Sequence, residues 1–116
     1  MAAVQDLIEE LREFVRERDW AQFHDPKNLS MAVASEAGEL LALFRWVAGP
    51  DADARAQDPA HRDKILHELA DVAIALLLLA DRIGADLPAA IRAKLAINRA
   101  NYPIEEARGK SDRPRR

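Results

Sequence analysis

An all-α fold follows from three features of the chain. Apolar residues recur at three- and four-residue spacing over long stretches, as an amphipathic helix requires. Aspartate followed by proline within two residues opens three of those stretches, placing an N-cap acid beside a proline in the first helical turn. No segment shows the period-two alternation of a half-buried strand.

The first helix is predicted over about residues 3–18, where Val4, Leu7, Ile8, Leu11, Phe14 and Val15 form one stripe opposite Asp6, Glu9, Glu10, Glu13 and Arg16. A connector, DWAQFHDPKN, leads to Asp25-Pro26, which starts a second helix over about 27–47. Its apolar face carries Leu29, Ala32, Val33, Leu40, Leu43 and Phe44, and Gly49-Pro50 stops it. GPDADARAQD reads as a polar loop. Its Asp51-x-Asp53 lacks the Gly and Glu of an EF-hand and is read as solvated. Asp58-Pro59 opens a third helix, about 59–83, ended by Gly84. Its run VAIALLLLA (72–80) reads as buried inside protein. Asp86, with Pro88 in the first turn, caps a fourth helix over about 87–100 that points Ile91, Leu95 and Ala96 to the core; Pro103 closes it.

The composition narrows the function. With 116 residues the chain has room for one domain. No Cys means no disulfide frame, zinc–thiolate site or thiol nucleophile. No Gly-rich phosphate loop is present, so phosphate handling needs another device. The net charge of −3 conceals a division: the last ten residues, ARGKSDRPRR, carry five positive charges and one negative. Residues 1–106 keep 12 Lys+Arg against 19 Asp+Glu, a balance of −7. The expectation is an acidic domain over 1–106 with a basic, flexible tail over 107–116. That balance gives no reason to expect a nucleic-acid polymer as partner. Early acidic residues argue against a signal peptide, and a nine-residue apolar run is too short for a membrane span, so the expected location is the cytoplasm.

The chemistry lies where the apolar stripes are interrupted. With Glu36 at zero on a helical wheel of about 100° per residue, Leu29, Val33, Leu40 and Leu43 fall within about 60° of it, and Glu39 lies at the stripe's edge. Around Glu68, Ile65, Val72, Ala75 and Leu79 do the same, with Asp71 three residues on. Two helices therefore each turn an acidic i,i+3 pair inward: E-x-x-E (36–39), 28 intervening residues, E-x-x-D (68–71). Unpaired buried carboxylates cost several kcal/mol each, and neither stripe offers Lys or Arg. A divalent cation is the direct remedy, and carboxylate-only ligation suits Mg²⁺, with Mn²⁺ as a substitute. A di-iron carboxylate site would need Glu-x-x-His; here the second positions are Glu39 and Asp71, and His67 is turned about 100° from Glu68.

Four blocks, RDWAQFHDPKNL, SEAGELLALFRW, HELADV and KLAINRANYP, resemble the all-α nucleoside triphosphate pyrophosphohydrolases of the MazG-like superfamily, and within it the dCTP pyrophosphatase branch. The resemblance runs over about residues 10–105, in the family's order. It implies a four-helix bundle and Mg²⁺-dependent hydrolysis of a dNTP, dCTP or a modified dCTP, to dNMP and pyrophosphate in nucleotide-pool house-cleaning. It also implies a homo-oligomer, a tetramer ahead of a dimer. Glu36, Glu39, Glu68 and Asp71 match the family's metal-binding acids, with Glu36 or Glu39 orienting or deprotonating the attacking water. Lys94 and Asn98 match its Lys-x-x-x-Asn; Lys94 would stabilise the departing pyrophosphate, and Arg99 and Tyr102 complete the block. Trp20 and Trp46 match aromatic positions of the nucleobase pocket, and His24 is a candidate contact to base or phosphate. Ser35 stands where relatives often have Gly, and Ala75 where some place a tyrosine, which leaves the base preference open. The alternatives are a relative acting on dUTP or another nucleotide, and a non-catalytic helical interaction domain.

Overall fold

A computed structural model describes residues 2–111. Among them every regular element is helical. Four long helices, α1 (Ala2–Glu17), α2 (Pro26–Ala42), α4 (Pro59–Arg82) and α5 (Leu87–Asn101), match the four expected from sequence. Two short ones, α3 (Ala52–Gln57) and α6 (Ile104–Ala107), were not expected. The chain divides into two compact units, Met1–Gly84 and Ala85–Arg116. No helix among the described residues is long and apolar enough to cross a membrane.

The three caps form as the sequence requires. The Asn28 N–H donates to Asp25 Oδ1 at 2.7 Å, Ala60 N–H to Asp58 Oδ1 at 3.0 Å, and Ala89 N–H to Asp86 Oδ1 at 3.0 Å. Each bond satisfies one of the donors a helix start leaves orphaned. Gly84 turns the chain after α4 with φ +69°, a conformation cheap for glycine alone. Asp19 does a similar job after α1 at φ +53°. Aspartate tolerates the left-handed region better than most residues, and here the Gln22 amide donates to its Oδ2 and carbonyl oxygen.

In the first unit α4 is the hub. α2 packs along it as the principal partner, and α1 and α3 rest on it as well. Leu29, at 3% exposure, is the best-buried residue of α2, and Ile8, Val15, Ala75 and Ala80 complete the buried set. In the second unit Asp86 caps α5, and the Tyr102 N–H closes its last turn on the Asn98 carbonyl at 2.8 Å.

Four expectations are corrected. First, the polar loop after α2 is a 3₁₀ turn over Gly49–Asp51 running into α3. Alternating alanines favour helix there, Asp53 sits in its first turn, and Arg62 of α4 donates to the Ala56 carbonyl and the Gln57 side chain at its end. Second, α2 ends at Ala42, not near 47, because its last bonds tighten to i→i−3 spacing, with Leu43 N–H on Leu40 O and Phe44 N–H on Leu41 O. Third, the run 72–80 is only partly buried. Ala75 and Ala80 are covered, while Ile74 and Leu76 are exposed, because α1, α2 and α3 leave part of α4's circumference open. Fourth, Ile91, Leu95 and Ala96 are exposed, not core residues. Of the basic tail expected over 107–116, residues 112–116 lie outside the described residues.

Candidate metal centre

The packing of α2 on α4 brings the two acidic pairs face to face. One carboxylate oxygen from each of Glu36, Glu39 and Glu68 lies within 4.8 Å of the other two. This is the one group of three or more His, Cys, Asp or Glu side chains at such spacing among the described residues. The wheel placed Glu36 and Glu68 mid-stripe, and they are half-buried; it placed Glu39 at the stripe edge, and it is exposed. Asp71 is exposed one turn beyond Glu68, and its charge reaches both Glu36 and Glu68.

Two oxygens carry the strongest signal. Glu36 Oε2 and Glu68 Oε2 are buried and accept no hydrogen bond. Buried polar atoms are nearly always paired, so two orphans on facing helices need an explanation. Burial pushes the Glu36 carboxyl above the usual carboxylate range, and the neighbouring charges of Glu39, Asp71 and Glu68 push it further. Glu68 is raised by burial and then by Glu39 and Asp71, with Lys64 pulling slightly the other way. The fold therefore holds carboxylates where their ionised form is disfavoured by its surroundings.

A small divalent cation removes that conflict. Hard cations take oxygen ligands at about 2.1 Å for Mg²⁺, which sets neighbouring ligand oxygens roughly 3 to 4.2 Å apart. Three carboxylate oxygens within 4.8 Å of one another are close to that spacing. The donor set is all oxygen, without His or Cys, the ligand chemistry that hard divalent cations take.

The aromatic candidates separate. Trp20 follows α1, its ring edge-on to Phe14 with centroids 5.7 Å apart, and its backbone N–H donates to the Val15 carbonyl at 3.1 Å. His24 ends the 3₁₀ turn Ala21–Phe23, its N–H on the Ala21 carbonyl. Together they line an apolar cavity of about 210 Å³ with Leu11, Phe14, Ile74 and Leu78. Its two α4 residues follow the acids along that helix: Ile74 is three residues past Asp71, and Leu78 one turn further. Sequence reasoning missed Leu11, Ile74 and Leu78 as lining residues because an apolar residue facing a cavity has the same periodicity as one facing a core. Trp46 is 88% exposed in the turn after α2, with the Arg45 guanidinium 5.9 Å from its ring centroid. It is not among the lining residues of the cavity.

The remaining candidates belong to the second unit. Lys94 and Asn98 lie one turn apart on α5, Lys94 exposed and Asn98 half-buried. Arg99 is exposed in the last turn of α5, and Tyr102 is its half-buried C-cap.

Comparison with known proteins gives a consistent placement. The family described as MazG-like matches residues 31–113. dCTP pyrophosphatase 1 of Rattus norvegicus is 44% identical over 97 residues, covering 84% of this chain and 57% of its own length. The Homo sapiens protein of that name is 44% identical over 99 residues, covering 85% and 58%. The chain thus spans less than two thirds of the length of these curated relatives. Among solved structures, a pyrophosphatase from Archaeoglobus fulgidus superposes with a TM-score of 0.81 at 32% identity, covering 89% of this chain and 94% of that one. With more than half of its length matched, and with the fold shared, the chain belongs to the MazG-like family.

Proposed function

We propose that this chain is a Mg²⁺-dependent nucleoside triphosphate pyrophosphohydrolase that cleaves dCTP, or a modified dCTP, to dNMP and pyrophosphate. The observation that carries this reading is the pair of orphaned buried oxygens on Glu36 and Glu68, with Glu39 closing the cluster. The names of the relatives, dCTP pyrophosphatase 1 and pyrophosphatase, support the substrate and the reaction.

Glu36, Glu39, Glu68 and Asp71 would hold the cation. When bound, Mg²⁺ supplies positive charge for the phosphates and polarises the phosphoryl group under attack. The protein's own groups do the rest. Glu39 is the exposed member of the cluster, so its carboxylate is accessible to orient or deprotonate a water for in-line attack on phosphorus. Glu36 is the alternative, set against Glu39 in the same cluster. Lys94 offers a cation for the departing pyrophosphate and Asn98 an amide donor to phosphate oxygen, an assignment that rests on their one-turn spacing and the family resemblance; Arg99 and Tyr102 complete the same block. The base is read into the cavity of Trp20 and His24, where a flat ring gains stacking and sheds water. Trp46 is the second aromatic contact, on the resemblance alone.

The assembled enzyme is read as a homo-oligomer, a tetramer ahead of a dimer. The support is the large apolar side chains left uncovered by a single chain: Trp46, Leu41, Met31, Leu69, Ile91 and Leu95 are all exposed. Within the first unit, an apolar groove of about 440 Å³ between α2 and α4 is lined by Leu40, Leu41, Phe44 and Leu69.

The test is a pyrophosphate-release panel over canonical and 5-modified nucleoside triphosphates, with and without Mg²⁺, and with Glu68→Gln as control. Release by the wild type with Mg²⁺ alone, strongest on cytosine nucleotides, is expected. Equal silence of wild type and variant on every triphosphate would overturn the reading in favour of an interaction domain.

A further inference from the structure

A second cleft, of about 350 Å³, adjoins the aromatic cavity; Val15, His24 and Leu78 line both. Its rim is charged, with Arg12, Arg16, Arg82, Asp19 and Asp81. Two of these charges answer each other, and a third is met by an acid outside the rim. The Arg12 guanidinium donates from Nε to both Asp81 oxygens, at 3.1 and 3.0 Å, and from Nη2 to Oδ1, while Arg16 pairs with Glu13.

The Arg12–Asp81 pair does something else. The two residues are 69 positions apart in sequence, and their bonds are the side-chain hydrogen bonds described between α1 and α4. Val15 is one turn on from Arg12 along α1, and Leu78 one turn before Asp81 along α4, so the pair lies beside the wall common to both cavities. α1 packs on α4 far less extensively than α2 does, which leaves its spacing the more easily changed. A two-point guanidinium–carboxylate contact fixes both distance and orientation in a way a single apolar contact cannot.

We propose that Arg12 and Asp81 are positioning residues, a clamp that sets the spacing of α1 against α4 and with it the width of the Trp20–His24 cavity. The proposal rests on that cavity being the base site. Arg12 keeps the Asp81 carboxyl below the usual range, so the clamp stays charged at neutral pH. Because the pair is partly exposed, its effect on global stability is small. Its effect is on geometry, and it falls on the base and not on the phosphates.

The experiment compares Arg12→Ala, Asp81→Asn, the charge swap Arg12→Asp with Asp81→Arg, and Trp20→Ala. It measures KM and kcat for dCTP, and calorimetric affinity for dCMP and for inorganic pyrophosphate with Mg²⁺. Each clamp variant is expected to raise KM and weaken dCMP about three- to tenfold, with kcat within about twofold and pyrophosphate affinity unchanged. The swap recovers part of the loss, which a merely structural defect would not. Unchanged KM and dCMP affinity in Arg12→Ala and Asp81→Asn overturns the clamp, as does a swap no better than the two single changes combined. Trp20→Ala separates the two readings. If it weakens dCMP while the clamp variants do not, the clamp alone fails. If Trp20→Ala also binds dCMP normally, the cavity is not the base site.

Discussion

Replacing Glu68 by glutamine should make the metal-free protein more stable and the metal-loaded protein less so. The side chain keeps its size, so packing between α2 and α4 is preserved. What changes is the charge. In the metal-free chain Glu68 stands against Glu39 and Asp71, with one oxygen buried and unpaired, and its ionised form is disfavoured. Glutamine removes that repulsion, and its amide can donate to the Glu39 carboxylate. The melting temperature in EDTA should therefore rise. With Mg²⁺ the order reverses. A ligand at 100 times its dissociation constant stabilises by about 2.7 kcal/mol. At about 2.1 cal/mol/K of unfolding entropy per residue, a chain of 116 residues gains roughly 11 °C. The variant, short of one of three clustered carboxylates, should gain a small fraction of that. Differential scanning fluorimetry across a Mg²⁺ titration gives two curves that cross. A variant less stable than wild type in EDTA would refute the electrostatic reasoning. Equal gains with Mg²⁺ would refute the ligand assignment.

Other consequences follow from the same geometry. In EDTA, raised carboxyls at Glu36 and Glu68 add stability that is fully present below the ordinary carboxylate range and is lost as pH rises through their raised values; the depressed Asp81 acts oppositely, losing stability as pH falls below its ordinary value. The metal-free protein should thus melt highest in mildly acid buffer, and Mg²⁺ should move that optimum upward, as a pH series of melting curves will show. Leu29→Ala empties the best-covered position of α2 and should cost about 2–5 kcal/mol, read from urea unfolding. Asp25→Ala removes the bond to the Asn28 N–H and should cost about 0.5–2 kcal/mol, with Asp25→Asn retaining most of it. Light scattering should find a multimer, and Leu41→Lys with Leu69→Lys, both at exposed positions of the apolar groove, should shift it toward the monomer.

How much was legible in the sequence varied with the range of the interaction. Caps are local: Asp25, Asp58 and Asp86 bond to N–H groups two or three residues away, so their pattern can be read directly. Interrupted stripes are nearly as local, and a wheel drawn on each helix placed Glu36 and Glu68 inward before any packing was known. The sequence failed where a distant residue decided the outcome. The 49–57 segment looks like a loop because it is polar; it is helical where alanines and Arg62 of the next helix support it. Ile91 and Leu95 follow the helical period, and periodicity cannot tell a face covered within one chain from a face left exposed.

The sequence by itself determined the all-α class, the helix starts and the family, because those rest on spacings of one to four residues and on blocks that survive without their neighbours. Only the tertiary structure decided which acids meet. Glu36, Glu39 and Glu68 converge because α2 lies along α4, leaving Asp71 one turn outside the tightest group. It also decided that Trp20 and His24 share a cavity and that Arg12 reaches Asp81. Contacts between helices depend on crossing and register, and those are fixed by the packing of whole faces, which no single spacing in the chain encodes.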